Sequence, residues 1–141
     1  MLLGFKRQFA PYVLDGTKTH TIRGIRKNAP KIGETCHCYV DPRQKSMKLL
    51  GRWTCVKVQS IRIDRARVWI DDVELDRSEK DLLAWRDGFR FDGTVMELCD
   101  PPLAKETGCF INLMLAFWAK THGGEAFEGQ MIHWDYRKAI K

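Results

Sequence analysis

The segment 15–27, "DGTKTHTIRGIRK", gathers Lys18, Arg23, Arg26 and Lys27 around a run of threonines. Side chains alternate along a strand, so Thr19, Thr21 and Arg23 share one surface while His20 and Ile22 share the other. Lys18 follows the flexible Gly16 turn and can swing toward the same surface as Thr21. Arginine offers a planar fork of donors, lysine a mobile point charge and threonine a hydroxyl. Those groups suit anion binding or activation of a hydroxyl; the alternative is an ordinary solvated strand edge. A carboxylate enters through Asp87, which falls in the last turn of a predicted helix, where the helix dipole disfavours it. An acid there points to a cationic partner, either Lys18 or Arg23, or its own neighbour Arg86.

The elements that must position these residues are readable along the chain. "LLGF" at 2–5 is a short apolar strand. Phe9, Val13 and Leu14 recur at helical spacing before Gly16, a left-handed stop, with Pro11 confined to the first turn. "HTIRG" is a strand and "NAPKIGE" a turn. A β region follows: "TCHCYV" at 35–40, "GRWTCVKV" at 51–58, "SIRID" at 60–64 and "ARVWI" at 66–70. "DPRQKSMKLL" is a polar hairpin loop, and "DDVEL" a tight Asp-Asp turn into one more short strand. Asp76 and Glu79 form a capping-box spacing for the helix "SEKDLLAWRD", stopped by Gly88. Thr94 and Glu97 repeat that spacing before "VMELC", which ends at Pro101. "FINLMLAFWAKTH" is a third helix, closed by Gly123 and Gly124, and "EGQMIHWDY" at 128–136 returns to strand.

At 141 residues and 44% hydrophobic composition, the chain suits a single domain over 1–141. Its longest apolar run is too short to span a membrane, and the N-terminus lacks a signal-peptide core. Five cysteines without framework spacing suit a reducing, cytoplasmic compartment. "CHC" at 36–38 could contribute to a zinc site, but paired ligand spacing is missing, so buried thiols are expected, with no metal and no cofactor. Residues 1–70 carry 15 Lys and Arg against 4 Asp and Glu, whereas residues 71–141 carry 9 against 14. A half of net charge +11 attracts phosphates.

"GTKTHTIR" resembles the G-x-K-T-x-T-x-R signature of the ASCH family, the activating-signal-cointegrator homology domain. Three further landmarks accompany it in order: "PKIGE" at 30–34, "RDGF" at 86–89 and "GQMIHW" at 129–134. The resemblance extends from Leu3 to Trp134. It implies an α+β fold, a PUA-like mixed β-barrel of about five to seven strands with flanking α-helices. It also implies a cleft lined by the signature lysine and threonine and by the acid of the helix.

ASCH domains are regarded as RNA-binding or nucleotide-binding modules. Some small bacterial members hydrolyse the amide of N4-acylated cytidines with a lysine, a threonine and a glutamate, and others are ribonucleases. Carried over, these roles fall on Lys18, Thr21 and Asp87, the aspartate being one methylene shorter than the family's glutamate. In the hydrolase reading Lys18 serves as base or lowers the hydroxyl's pKa, Thr21 is the nucleophile, Asp87 orients Lys18 or shuttles the proton, and Arg23 or a backbone amide steadies the oxyanion. In the binding reading the same residues hold a phosphate or base. Arg23 faces the same cleft, Arg26, Lys27, Lys31 and the loop cations Arg43, Lys45 and Lys48 then track the backbone, and Tyr12, Tyr39, Trp53 and Trp134 are candidates for stacking, most of them better suited to the core. The charge of the first half favours RNA or a nucleotide as partner, with the chain acting as a monomer away from membranes. A third use, docking on another protein, would be carried by the segment 99–127.

Overall fold

The computed structural model describes residues 1–25, 31–89, 109–122 and 125–140. In chain order the elements are β1 (Leu2–Phe5), α1 (Ala10–Asp15), β2 (His20–Gly24), β3 (Thr35–Val40), β4 (Lys48–Asp64), β5 (Arg67–Ile70) and β6 (Val73–Glu74). These are followed by α2 (Arg77–Asp87), α3 (Cys109–His122) and β7 (Phe127–Ala139). The fold is α+β, as expected. The strand pairings form an open mixed sheet, and among the described residues they do not close into a barrel. The expected helix at "VMELC" and the Gly123–Gly124 stop lie outside the described residues, as do Arg26 and Lys27.

The chain forms two compact units, Met1–Gln59 with Gly129–Lys141, and Ser60–Glu128. In the first, β1 pairs in parallel with β3, which pairs antiparallel with β4 across a bulge at Cys38/Tyr39. β7 pairs with both β4 and β2, setting Thr21 opposite Ile132 and Arg23 opposite Gln130. β1 and β2 are thus the outer strands of this unit. The sequence suggested two strands between 51 and 64; the structure has one strand of 17 residues, because no glycine or proline breaks the run between Trp53 and Asp64.

In the second unit the end of β4 pairs with β5, and β5 with β6. Asp71 and Asp72 take φ of 49° and 65°, as the two central positions of a primed hairpin turn require. The Asp71 carboxylate accepts the Ser60 amide at 3.0 Å. The capping box of α2 forms as its spacing implies: Asp76 accepts the Glu79 amide at 2.8 Å, and Glu79 accepts the Asp76 amide at 3.1 Å. Gly88, at φ 104°, stops the helix. α2 packs on α3, and Asp81 accepts the Ile111 amide at 3.2 Å.

Cys36, Cys38 and Cys55 are free and buried in the first unit. Burial pushes the thiols of Cys36 and Cys38 up to about 12 from an ordinary value of 9.0. An unfolded chain releases these protons near pH 9 while the folded chain retains them. Their contribution to stability is therefore complete below pH 9 and is lost as pH rises toward 12. An alkaline titration followed by circular dichroism should show unfolding in that window. Cys36→Ala with Cys38→Ala should move the midpoint to higher pH; an unchanged midpoint would clear the thiols of that role.

Candidate nucleic-acid site

The position of Lys18 is set by the end of α1. Gly16 terminates the helix at φ 82°, and any Cβ there would overlap the ring of Tyr136. Glycine is required both for the backbone angle and for the close approach of that ring. The Tyr136 hydroxyl donates to the Leu14 carbonyl at 2.6 Å, satisfying one of the helix's terminal acceptors. Asp15 then accepts from both the amide and the hydroxyl of Thr17, at 2.8 and 2.6 Å. The Lys18 amide donates to the Tyr12 carbonyl at 2.9 Å. The backbone carrying the lysine is thus braced on both sides of the turn.

Its side chain is 3% exposed. The ammonium lies 5.3 Å from the ring centre of Phe9 and 5.9 Å from that of Phe5. Desolvated cations over aromatic faces gain about 2 kcal/mol per favourable pair. Phe5 also receives the guanidinium of Arg23 at 5.3 Å and packs edge-on against Trp134 at 6.0 Å. Arg23 reaches from β2 to the Gly4 carbonyl of β1, to which its Nη2 donates. The two outer strands of the unit, which do not pair with each other among the described residues, are thereby linked by a side chain. Arg23 is half-buried in this strut.

Thr21 is 5% exposed on β2, and both faces of that strand are covered. His20, on the opposite face, lies 5.5 Å from the ring of His133, whose Nε2 is 2.9 Å from the Gln59 amide oxygen. The buried polar residues among those described are Lys18, His20, Thr21 and Asp87. Three of these four are the residues singled out for chemistry from the sequence. Asp87 belongs to the second unit, as the last residue of α2. Trp134 is 2% exposed and stacks on Trp53 at 6.1 Å and 18°. It is therefore a core residue rather than an open stacking surface.

The remaining cations behave differently. Lys31, Arg43, Lys45 and Lys48 are all exposed in the first unit. That unit carries 15 Lys and Arg against 4 Asp and Glu, net +11; the second carries 9 against 14, net −5. The charge imbalance between sequence halves is thus an imbalance between compact bodies. Sequence reasoning overlooked Lys6, Lys57, Arg137 and Lys138, which are exposed in the same basic unit. The adjacent charges at the end of β7 were a usable signal for the last two. It also missed Phe5 and Phe9 as the bed of Lys18, since nothing in their spacing marks them as its partners.

Among the described residues no group of three or more His, Cys, Asp or Glu could hold a metal ion. No described helix is long and apolar enough to cross a membrane. Within the segment 99–127, no large hydrophobic side chain is exposed among the described residues. Comparison of the chain with protein-family models, with curated proteins and with solved structures finds no match.

Proposed function

We propose that the chain is a PUA-like domain of the ASCH kind that binds RNA. The exposed cations of its basic unit contact the phosphate backbone, and the buried Lys18 and Thr21 receive part of one nucleotide. The observation that carries this reading is the net +11 concentrated in one compact unit of a chain whose total is +6. Polyanion binding uses such a field, whereas an uncharged nucleoside gains nothing from it. Lys18 and Thr21 are too enclosed to follow a backbone, so phosphate contact belongs to Lys31, Arg43, Lys45 and Lys48.

A second reading, hydrolysis of N4-acylated cytidine or of RNA, is favoured by the burial of Lys18, Thr21 and Asp87 at 3, 5 and 5% exposure. Burial of ionisable and nucleophilic groups is expensive, and it is commonly retained where it tunes reactivity. In that reading Thr21 Oγ1 attacks the acyl carbon as its proton passes to a neutral Lys18 amine; the C–N bond then breaks, Lys18 returns the proton to the departing cytidine amine, and water hydrolyses the acyl-threonine.

The two readings separate in one experiment on wild type and Lys18→Ala. Affinity for a single-stranded RNA oligonucleotide is measured against salt, and N4-acetylcytidine turnover is followed by mass spectrometry. Binding predicts a steep salt slope, a loss of about tenfold in affinity for Lys18→Ala and no turnover. Hydrolysis predicts turnover that vanishes in Lys18→Ala. If both proteins bind RNA identically and neither turns over substrate, Lys18 has no part in either function.

A further inference from the structure

The loop between β3 and β4 contains two exposed cations, Arg43 and Lys45, and a single acid, Asp41. Asp41 and Arg43 adopt left-handed backbone, at φ 49° and 64°. The Asp41 carboxylate gathers the loop: its Oδ2 accepts from Arg7 Nε at 2.8 Å and from Ser46 Oγ at 3.0 Å. The Arg7 hydrogen bond holds that carboxyl below its ordinary value, so it stays ionised. The Asp41 amide donates to the Phe5 carbonyl at 3.4 Å, the Gln44 amide to the Asp41 carbonyl at 3.3 Å, and the Met47 amide to the Gln44 carbonyl at 3.0 Å. Pro42 lies against Gly4, leaving no room for a Cβ there.

The loop is therefore strapped to the end of β1. That strand also provides Phe5, on which Lys18 and Arg23 rest. The exposed cations and the buried lysine share one support.

We infer that Asp41 is a positioning residue for RNA, holding Arg43 and Lys45 ready for two backbone phosphates beside the end of β1. The inference rests on the RNA-binding reading and specifies where on the basic unit the backbone is gripped. Preorganisation raises affinity because the ordering of the loop is not paid for at the moment of binding. The consequence opposes simple electrostatics: removing a negative charge from a basic surface should tighten polyanion binding, whereas here it weakens it.

The test measures binding of a fluorescein-labelled single-stranded oligouridylate by anisotropy at fixed salt, with thermal melts to confirm folding. Asp41→Gly accommodates the left-handed backbone and makes the protein more cationic, yet it should bind about tenfold more weakly. Asp41→Asn, which keeps an acceptor for Ser46, should recover part of the loss. Ser46→Ala removes one brace without altering charge and should weaken binding about twofold to threefold. Asp41→Gly binding as tightly as wild type, or more tightly, overturns the inference and leaves the RNA reading intact. Should Asp41→Gly fail to fold, Ser46→Ala decides, and unchanged affinity in that variant overturns the inference. Absence of salt-dependent binding by wild type overturns the RNA reading itself, and this inference with it.

Discussion

Replacing Lys31, Arg43, Lys45 and Lys48 together with alanine should lower RNA affinity about 10²–10³-fold at 0.1 M salt. Each cation that neutralises a single-stranded phosphate releases part of a counterion, contributing about 0.7 to the slope of log K against log salt. Four contacts removed should therefore flatten that slope by about 3. All four side chains are exposed, and surface substitutions of this kind usually change stability by less than about 0.5 kcal/mol each. The fold should survive while the binding does not. Anisotropy titrations across a salt series measure both quantities, and a quadruple variant with the wild-type slope would place the phosphate contacts elsewhere.

The largest effect on stability is expected from Trp53→Ala. Trp53 is 4% exposed, stacked on Trp134 at 6.1 Å and tilted against Tyr136 at 5.5 Å. Gly51, two residues earlier on β4, has no side chain because the indole six-membered ring occupies that space. Removing the ring forfeits its burial and leaves a cavity, a cost of roughly 3–5 kcal/mol. That is a large part of the 5–15 kcal/mol typical of a whole domain. Trp53→Phe should cost far less, for a specific reason. Trp53 Nε1 is buried with no hydrogen-bond acceptor among the described residues, and removing an orphaned donor returns about 1–3 kcal/mol. Urea unfolding of the three proteins compares the two costs. Equal losses for phenylalanine and alanine would overturn this account of the indole.

Local structure was legible in this sequence wherever a single residue type forces the backbone. β2 and β3 occupy the residues 20–24 and 35–40 that their alternation marked. α2 begins at its Asp76–Glu79 box and stops at Gly88, since capping hydrogen bonds and left-handed φ angles are decided within a few residues. Lys18, Thr21 and Asp87 stood out for their chemistry, and all three are buried. Burial itself was not legible, because a lysine three residues into a charged segment looks solvated until Phe5 and Phe9 are brought over it. Trp134 read either as a core or as a stacking aromatic, because an aromatic on a terminal strand is open or covered depending on what pairs beside it, and in the fold it is buried. Arg23 was read as a ligand group, and the structure adds a contact the sequence could not show, its Nη2 donating across to the Gly4 carbonyl of β1.

The division follows the range of the forces concerned. By itself the sequence determined helix ends, turns, strand alternation, the α+β class and the quantity of charge. These depend on dihedral preferences and on neighbours a few residues apart. Tertiary structure alone decided that β4 runs unbroken for 17 residues, that the described strands pair as an open sheet, and that Lys18 lies over two phenylalanine rings. It also decided that +11 of charge belongs to one compact unit and that Asp41 ties a basic loop to β1. Each of these depends on strand order and on contacts between residues far apart in the chain, such as Leu14 with Tyr136. Their energies arise only once the intervening chain has been ordered, so no local pattern carries them.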